Sequence, residues 1–177
     1  MCLNVAGVKF PDVGNGDGCR LSIFVSGCTL NCPDCFNQES QDFNYGTPLT
    51  ENMLLQYFKK MDSPWVSGMS LLGGDPLEPH NQIGVLKICQ EFKQKFPDKN
   101  IYLWTGRTLN ELYNEECKQY ETAREILKYV DVLIDGRFIK ELKEPNLYLR
   151  GSTNQQVYSK KKGCYGSKKE QWEVRTN

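Results

Sequence analysis

An α/β chain folded as a partial, open (βα) barrel is what this sequence predicts, and three observations lead there. Strand-like and helix-like segments alternate along the chain, which is the pattern of βα units. Four strand-like segments end in a glycine or polar signature: Gly27-Cys28, Gly73-Gly74-Asp75, Thr105-Gly106-Arg107 and Asp135-Gly136-Arg137. In a barrel or open parallel sheet such ends share the face where ligands bind. Eight βα units need roughly 250 residues, so the 177 residues here admit only about four to six and leave one side open.

The elements follow in order. Arg20 to Gly27, RLSIFVSG, alternates Leu21, Ile23 and Val25 with Ser22, Phe24 and Ser26, the period of a strand. Thr50 to Met61 offers a threonine cap and an apolar stripe of Met53, Leu54, Tyr57, Phe58 and Met61, one face of a helix. SGMSLLGG is a short strand, NQIGVLKICQEFKQKF an amphipathic helix that ends before Pro97, and NIYLWTG another strand. Leu109 to Tyr129 reads as one broken helix or two short ones, and DVLIDG as a buried parallel strand. LYLRG and QQVYS read as two last short strands.

Composition narrows the class. Hydrophobic residues at 39% and charged residues at 25% fit a globular chain rather than a disordered or fibrous one. The length fits a single domain. Neither a charged leader with an apolar core nor an apolar run near ~18 residues occurs, so the chain is expected in the cytoplasm with no membrane partner. Residues 1–135 carry 12 Lys and Arg against 18 Asp and Glu, whereas residues 136–177 carry 10 against 4. That asymmetry suggests a domain over 1–158 and a basic tail over 159–177. The run Ser159-Lys160-Lys161-Lys162 with Ser167-Lys168-Lys169 reads as solvated surface or as an attraction for an acidic partner, without direct nucleic-acid binding.

The chemistry concentrates in GCTLNCPDCFN, which spaces Cys28, Cys32 and Cys35 as C-x3-C-x2-C directly after a strand. With no secretory signal, eight cysteines point to metal or catalysis rather than disulfides. A structural zinc almost always takes four protein ligands, so Cys19, His80 or Cys164 would have to complete one here. A 4Fe-4S cluster takes one thiolate per iron, and three thiolates leave one iron open to a small molecule. S-adenosylmethionine suits that opening, because its amino and carboxylate groups can chelate the iron. Cys2, Cys19, Cys89 and Cys117 read as small buried or neutral residues, and Cys164 is left unassigned. His80, the only histidine, reads as a turn residue more readily than as a proton shuttle.

C-x3-C-x2-C at this place resembles the radical S-adenosylmethionine superfamily. FVSGCTLNCPDCFN, GGDPLEPHN, DVLIDGRF and LRGSTNQQV resemble, in order, the blocks of the anaerobic, class III ribonucleotide reductase activating enzymes, which are glycyl-radical activases. The first two blocks are shared with activases such as that of pyruvate formate-lyase, and RGSTNQ points more narrowly to the reductase activators. The resemblance implies a partial barrel of the radical S-adenosylmethionine type, with Cys28, Cys32 and Cys35 as catalytic ligands of a 4Fe-4S cluster. It also implies a flavodoxin-like electron donor and the catalytic subunit of anaerobic ribonucleotide reductase as partner. By the same resemblance Asp34, Phe36 and Asn37 would flank S-adenosylmethionine, with Phe36 against the adenine. Gly73, Gly74 and Asp75 would meet its amino group, glycine allowing close approach because it lacks a Cβ. Thr105 and Asp135 are candidates by their place at strand ends. Asp75 and Asp135 read equally as turn residues, and a zinc-stabilised interaction module remains the reading from another class. Asp34, Gln38, Leu72 and Arg137 depart from residues usual in these families, and none is a cluster ligand.

Overall fold

The computed structural model describes residues 3–161 and 168–175. Its strands are β1 (Asn4–Asp12), β2 (Cys19–Val25), β3 (Thr47–Pro48), β4 (Val66–Gly73), β5 (Asn100–Trp104), β6 (Val132–Asp135), β7 (Gln156–Lys160) and β8 (Trp172–Val174). They form one open sheet in the order β3-β1-β2-β4-β5-β6-β7-β8. The pairs β2/β4, β4/β5 and β5/β6 are parallel. Every other pair is antiparallel.

The helices are α1 (Glu51–Met61), α2 (Gln82–Lys95), α3 (Leu109–Leu112) and α4 (Glu121–Leu127). They lie in the three connections between the parallel strands, fewer than the four to six βα units that the length admits. After β6 the chain returns through a loop to antiparallel β7 instead of adding another helix. Mixed α/β with an open sheet is therefore the observed class.

Local chemistry sets the helix ends. Thr50 accepts the Met53 N–H at 3.2 Å and opens α1. Thr108 and Glu111 form a capping box on α3. The break expected between Leu109 and Tyr129 is real, with α3 and α4 separated by a turn of 3-10 helix at Lys118–Tyr120.

Alternation along the strands divides the interior in two. Leu21, Ile23, Val25, Met69, Leu71, Ile101, Leu103 and Leu133 face the helices, where Leu54, Phe58, Val85, Ile88, Phe92 and Ile126 meet them. Phe58, Phe92 and Phe96 pack with ring centroids 5.5 to 6.0 Å apart, and burying each such side chain contributes about 1.5–3 kcal/mol. Tyr102, Val132, Ile134 and Val157 form a smaller cluster, with Trp104 and Leu149 against it.

Two sequence expectations change. LYLRG is not a strand: Leu149 takes φ 58 and its carbonyl accepts the Trp104 Nε1–H at 2.9 Å. Lys160 is half-buried rather than plain solvated surface: its Nζ donates to the carbonyls of Leu127 and Lys128, both at 2.8 Å, and so closes α4. Beyond it, β8 pairs with β7 and Trp172 is buried. Lys162, Cys164 and Ser167 lie outside the described residues, as does Cys2.

Asp12 holds the turn that leads β1 into β2. It accepts from the Gly14 N–H at 3.0 Å, Asn15 Nδ2 at 2.6 Å and Ser22 Oγ at 2.5 Å, and pairs with Lys9 Nζ at 3.0 Å. Burial alone would raise its pKa, but the donors outweigh burial and bring it down to about 2. A carboxylate held below its unfolded value of 3.8 stabilises the fold above that pH and loses the contribution as pH falls toward 2. The melting-temperature gap between the native chain and Asp12→Asn should therefore be widest above about pH 4 and narrow steadily in acid.

Candidate functional site

The three cysteines stand on the loop leaving β2, where that strand lies beside β4. Gly74 N–H donates to the Val25 carbonyl at 2.7 Å and Asp75 N–H to the Gly27 carbonyl at 3.0 Å, so the ladder continues past the strand ends into the loop. Within it, Asn31 at φ 46 and Asp34 at φ 55 adopt the left-handed conformation, which these two residue types enter more readily than most. The turns bring Cys28, Cys32 and Cys35 to one cavity of about 400 Å³. All three are free and half-buried. Gly73 and Gly74, Thr105 and Gly106, and Leu149, Gly151 and Gln155 wall the same cavity.

Burial pushes the Cys28 thiol up to about 12 and raises that of Cys32 as well. A cluster taking these sulfurs as thiolates must therefore displace their protons. Cys19 begins β2, roughly 20 Å of strand from the loop, and His80 is exposed, edge-on to Phe43 at 5.3 Å. Among the described residues no fourth cysteine or histidine lines the cavity. Three thiols of this kind fit a 4Fe-4S cluster with one open iron better than the four-ligand shell of structural zinc.

A buried ion pair fixes the loop. Glu78 Oε2 accepts Arg107 Nη2 at 2.6 Å, the Thr29 N–H at 3.1 Å and the Thr29 hydroxyl at 2.9 Å. The residue next to Cys28 is thus tied to the segment that follows β5. Asp75 lies alongside, fully buried, accepting from the Thr105 hydroxyl at 2.9 and 3.0 Å, the Leu77 N–H at 2.8 Å and the Gly106 N–H at 3.3 Å. Burial pushes its carboxyl up to about 6, against the pull of Arg107 and these donors. Asn81, just before α2, does not cap the helix with its side chain. Its amide instead donates to the Gly27 carbonyl at 3.1 Å and the Asp75 carbonyl at 2.9 Å.

The structure sorts the residues expected from sequence. Asp34, Phe36, Asn37, Gly73, Gly74 and Thr105 join the cysteines on the cavity wall. Asp34 pairs with Lys140 Nζ at 3.0 Å, and Asn37 Nδ2 donates to the Gly73 carbonyl at 3.2 Å. Phe36 is 99% exposed at the rim. Asp75 and Asp135 do not line the cavity. Asp135 accepts the Leu109 N–H at 2.6 Å and the Gln156 N–H at 3.3 Å, so its carboxylate fixes the start of α3 and of β7.

The glycines serve the chain's own packing. A Cβ at Gly74 would stand 2.6 Å from the Gly27 carbonyl oxygen and 2.7 Å from that of Ser40, and one at Gly73 would meet the Val25 carbonyl oxygen at 2.5 Å. Glu78, Arg107 and Asn81 hold the cysteine loop in place, and sequence reading gives none of them a role. Their one signal is a charged or amide residue placed shortly after a strand's glycine end.

RGSTNQ folds over the cavity from the β6–β7 side. Gln155 Oε1 accepts the N–H groups of Gly151 and Ser152 at 2.8 and 3.2 Å, while Gln155 Nε2 donates to the Gly136 carbonyl at 2.8 Å. Ser152 Oγ accepts the Ile139 N–H at 3.2 Å. The motif is a self-bonded loop whose Gly151 and Gln155 face the cysteines across the opening.

The open α/β sheet carries three thiols on the loop after a parallel strand, and residues 14–158, which include them, match the family model described as a 4Fe-4S single cluster domain. The chain belongs to the family of anaerobic ribonucleoside-triphosphate reductase-activating proteins. It is 42% identical over 149 residues to the protein so named from Pasteurella multocida, covering 83% of this chain and 91% of the relative. The corresponding protein of Escherichia coli K12 is 38% identical, with 83% and 92% covered. That of Enterobacteria phage T4 is 37% identical over 154 residues, with 87% and 92% covered.

Glu78→Ala would leave the buried Arg107 guanidinium with only Asp75, 3.9 Å from its Nε, as counter-charge, a loss of about 3 kcal/mol, the low end for removing one member of a buried pair. Denaturant unfolding should show that loss in Glu78→Ala, and a smaller one in Glu78→Ala with Arg107→Met, where the only group left without the guanidinium is Asp75, whose carboxyl burial already pushes up to about 6. Gly74→Ala drives a Cβ into the main chain of the cysteine loop. Bound iron after anaerobic reconstitution should fall in parallel with stability, whereas a glycine serving only a ligand would leave iron at the native level.

Proposed function

We propose that this chain activates an anaerobic ribonucleoside-triphosphate reductase by reductive cleavage of S-adenosylmethionine at a 4Fe-4S cluster. The observation that carries the reading is one cavity walled by three free thiols, the glycine end of β4 and the RGSTNQ loop. Kinship with proteins named for activating that reductase supports the same partner. On this reading the parallel strands are the wall of a partial βα barrel of the radical S-adenosylmethionine type. Residues 1–158 are its catalytic unit, and 159–177 are joined to it through β8.

Bound there, the cluster would pass one electron to the sulfonium, breaking a carbon–sulfur bond to give methionine and a 5′-deoxyadenosyl radical that takes a hydrogen atom from a glycine Cα of the reductase. The chain's own residues supply the setting. Cys28, Cys32 and Cys35 would hold three irons, Gly73 and Gly74 bring main chain to the cavity, and Leu149, Gly151 and Gln155 line it. On this reading Phe36, exposed at the rim, would lie against the adenine ring. A flavodoxin-like protein is the proposed electron donor and the cytoplasm the proposed compartment. No helix among the described residues is long and apolar enough to cross a membrane.

Singly substituting Cys28, Cys32 and Cys35 by Ala should each abolish stable cluster iron, with Cys19→Ala, Cys89→Ala and Cys117→Ala near the native content. Anaerobic incubation of the reconstituted chain with reductant, S-adenosylmethionine and a reductase should yield a glycyl radical by electron paramagnetic resonance. A signal that persists after the acceptor glycine is changed to alanine overturns the proposal.

A further inference from the structure

A second cavity of about 460 Å³ adjoins the first. Cys35, Phe36, Asn37 and Gly73 border both. Its floor is Gly7 and Phe24, which face each other across the β1/β2 ladder and therefore project to the same side of the sheet. Tyr45 stands on its wall, with its hydroxyl donating to Glu39 Oε2 at 2.8 Å.

Gly7 differs from the other glycines around the site. A Cβ at Gly27, Gly46, Gly73 or Gly74 would come within 3 Å of another group, whereas one at Gly7 meets nothing within 4 Å. Packing does not require a glycine there, and its effect is to leave the cavity floor open. No Lys or Arg among the described residues lines this cavity and Glu39 does, so its charge is wrong for a nucleotide or another anion. Beside it, β3 covers β1 only at Asn4 and Val5, and the outer edge of β1 beyond them is unpaired among the described residues. An open strand edge beside a ligand-sized hollow is the setting in which extended peptide binds.

We propose that the second cavity admits the glycine-bearing segment of the protein substrate, entering in extended form beside β1, and that Gly7 sets its width. The inference rests on the function proposed above and deepens it by separating two places. The cofactor lies in the cavity of the three thiols, and the polypeptide approaches through the cavity of Gly7, Phe24 and Tyr45, its glycine Cα reaching the reactive carbon past Phe36 and Asn37. A glycine at the tip of that segment has no side chain to bar the approach.

The test is Gly7→Leu in the full, reconstituted chain. Cluster iron, and S-adenosylmethionine cleavage driven by reductant without reductase, should stay at native values. Glycyl-radical yield on the reductase should fall on the order of tenfold or more, the scale of loss expected when a reacting atom is held off its position. Gly7→Ala, whose single Cβ meets open space, should keep the fold and show a smaller fall, which decides the matter if the leucine variant does not fold. Binding of a synthetic reductase peptide carrying the acceptor glycine, followed by calorimetry, should be weakened by Gly7→Leu. That measurement needs no radical chemistry, so it judges this inference even where cleavage fails and the function itself is in question. Unchanged radical yield, equal peptide binding by both chains, no peptide binding by the native chain, or a matching loss of cleavage without reductase would each overturn the proposal.

Discussion

The buried contact between Glu78 and Arg107 is the constraint on which the site depends. One carboxylate oxygen gathers a guanidinium and both donors of Thr29, and so joins three segments: the cysteine loop after β2, the turn after β4 and the turn after β5. Removing the Arg107 charge would strand Glu78 and weaken the hold on Asp75, 3.9 Å from the Arg107 Nε, in a low-dielectric interior. A loop with two left-handed non-glycine residues has little intrinsic preference for one shape. What fixes it is this clamp on one side of Cys28, together with the hydrogen bonds from Gly27 N–H to the Ser40 carbonyl at 2.7 Å and from Cys28 N–H to the Gln41 carbonyl at 3.1 Å.

A second buried cation holds the opposite end of the parallel strands. Arg20 is fully buried, with Nε donating to Ser70 Oγ at 2.7 Å and its Nη atoms to Asn100 Oδ1 at 2.7 Å, the Met69 carbonyl at 2.7 Å and the Asp17 carbonyl at 3.0 Å. The Tyr102 ring lies 3.9 Å from its Cζ. Burial lowers its pKa to about 10, which still leaves it charged at neutral pH. β2, β4 and β5 are thereby held at one end by Arg20 and at the other by the Asp75, Glu78 and Arg107 group. Their C-terminal ends, where the cysteines and glycines meet, have little freedom to move relative to one another.

Much of this was legible in the sequence, and the failures have identifiable causes. The parallel strands read clearly because one side of each packs under helices and the helices carry their own 3.6-residue period. β1 did not, since a register shift between Val5 and Gly7 breaks the alternation and Pro11 argues against a strand. LYLRG has a strand's composition, yet Leu149 and Gly151 line the cavity and the chain turns between them. The cysteine loop was legible because spacing alone carries its chemistry. Glu78 and Arg107 were not, because a lone charge after a strand looks like solvated surface until tertiary packing brings its counter-charge to 2.6 Å.

The glycine end of β4 shows how packing and ligand chemistry share one segment. A Cβ at Gly73 would run into the main chain of β2 and one at Gly74 into that of Gly27 and Ser40, so packing alone requires glycine at both. That close packing has a chemical result. The N–H groups of Gly74 and Asp75 are both consumed by the neighbouring strand end and loop, at 2.7 and 3.0 Å. The Gly73 carbonyl faces Asn37 Nδ2 with one of its two lone pairs and keeps the other. The segment therefore offers an acceptor to the cavity and withholds these donors, a polarity suited to an ammonium group and unsuited to a carboxylate or phosphate. The backbone arrangement that seats the cysteine loop thus also sets the polarity of the cavity wall beside Cys28, Cys32 and Cys35.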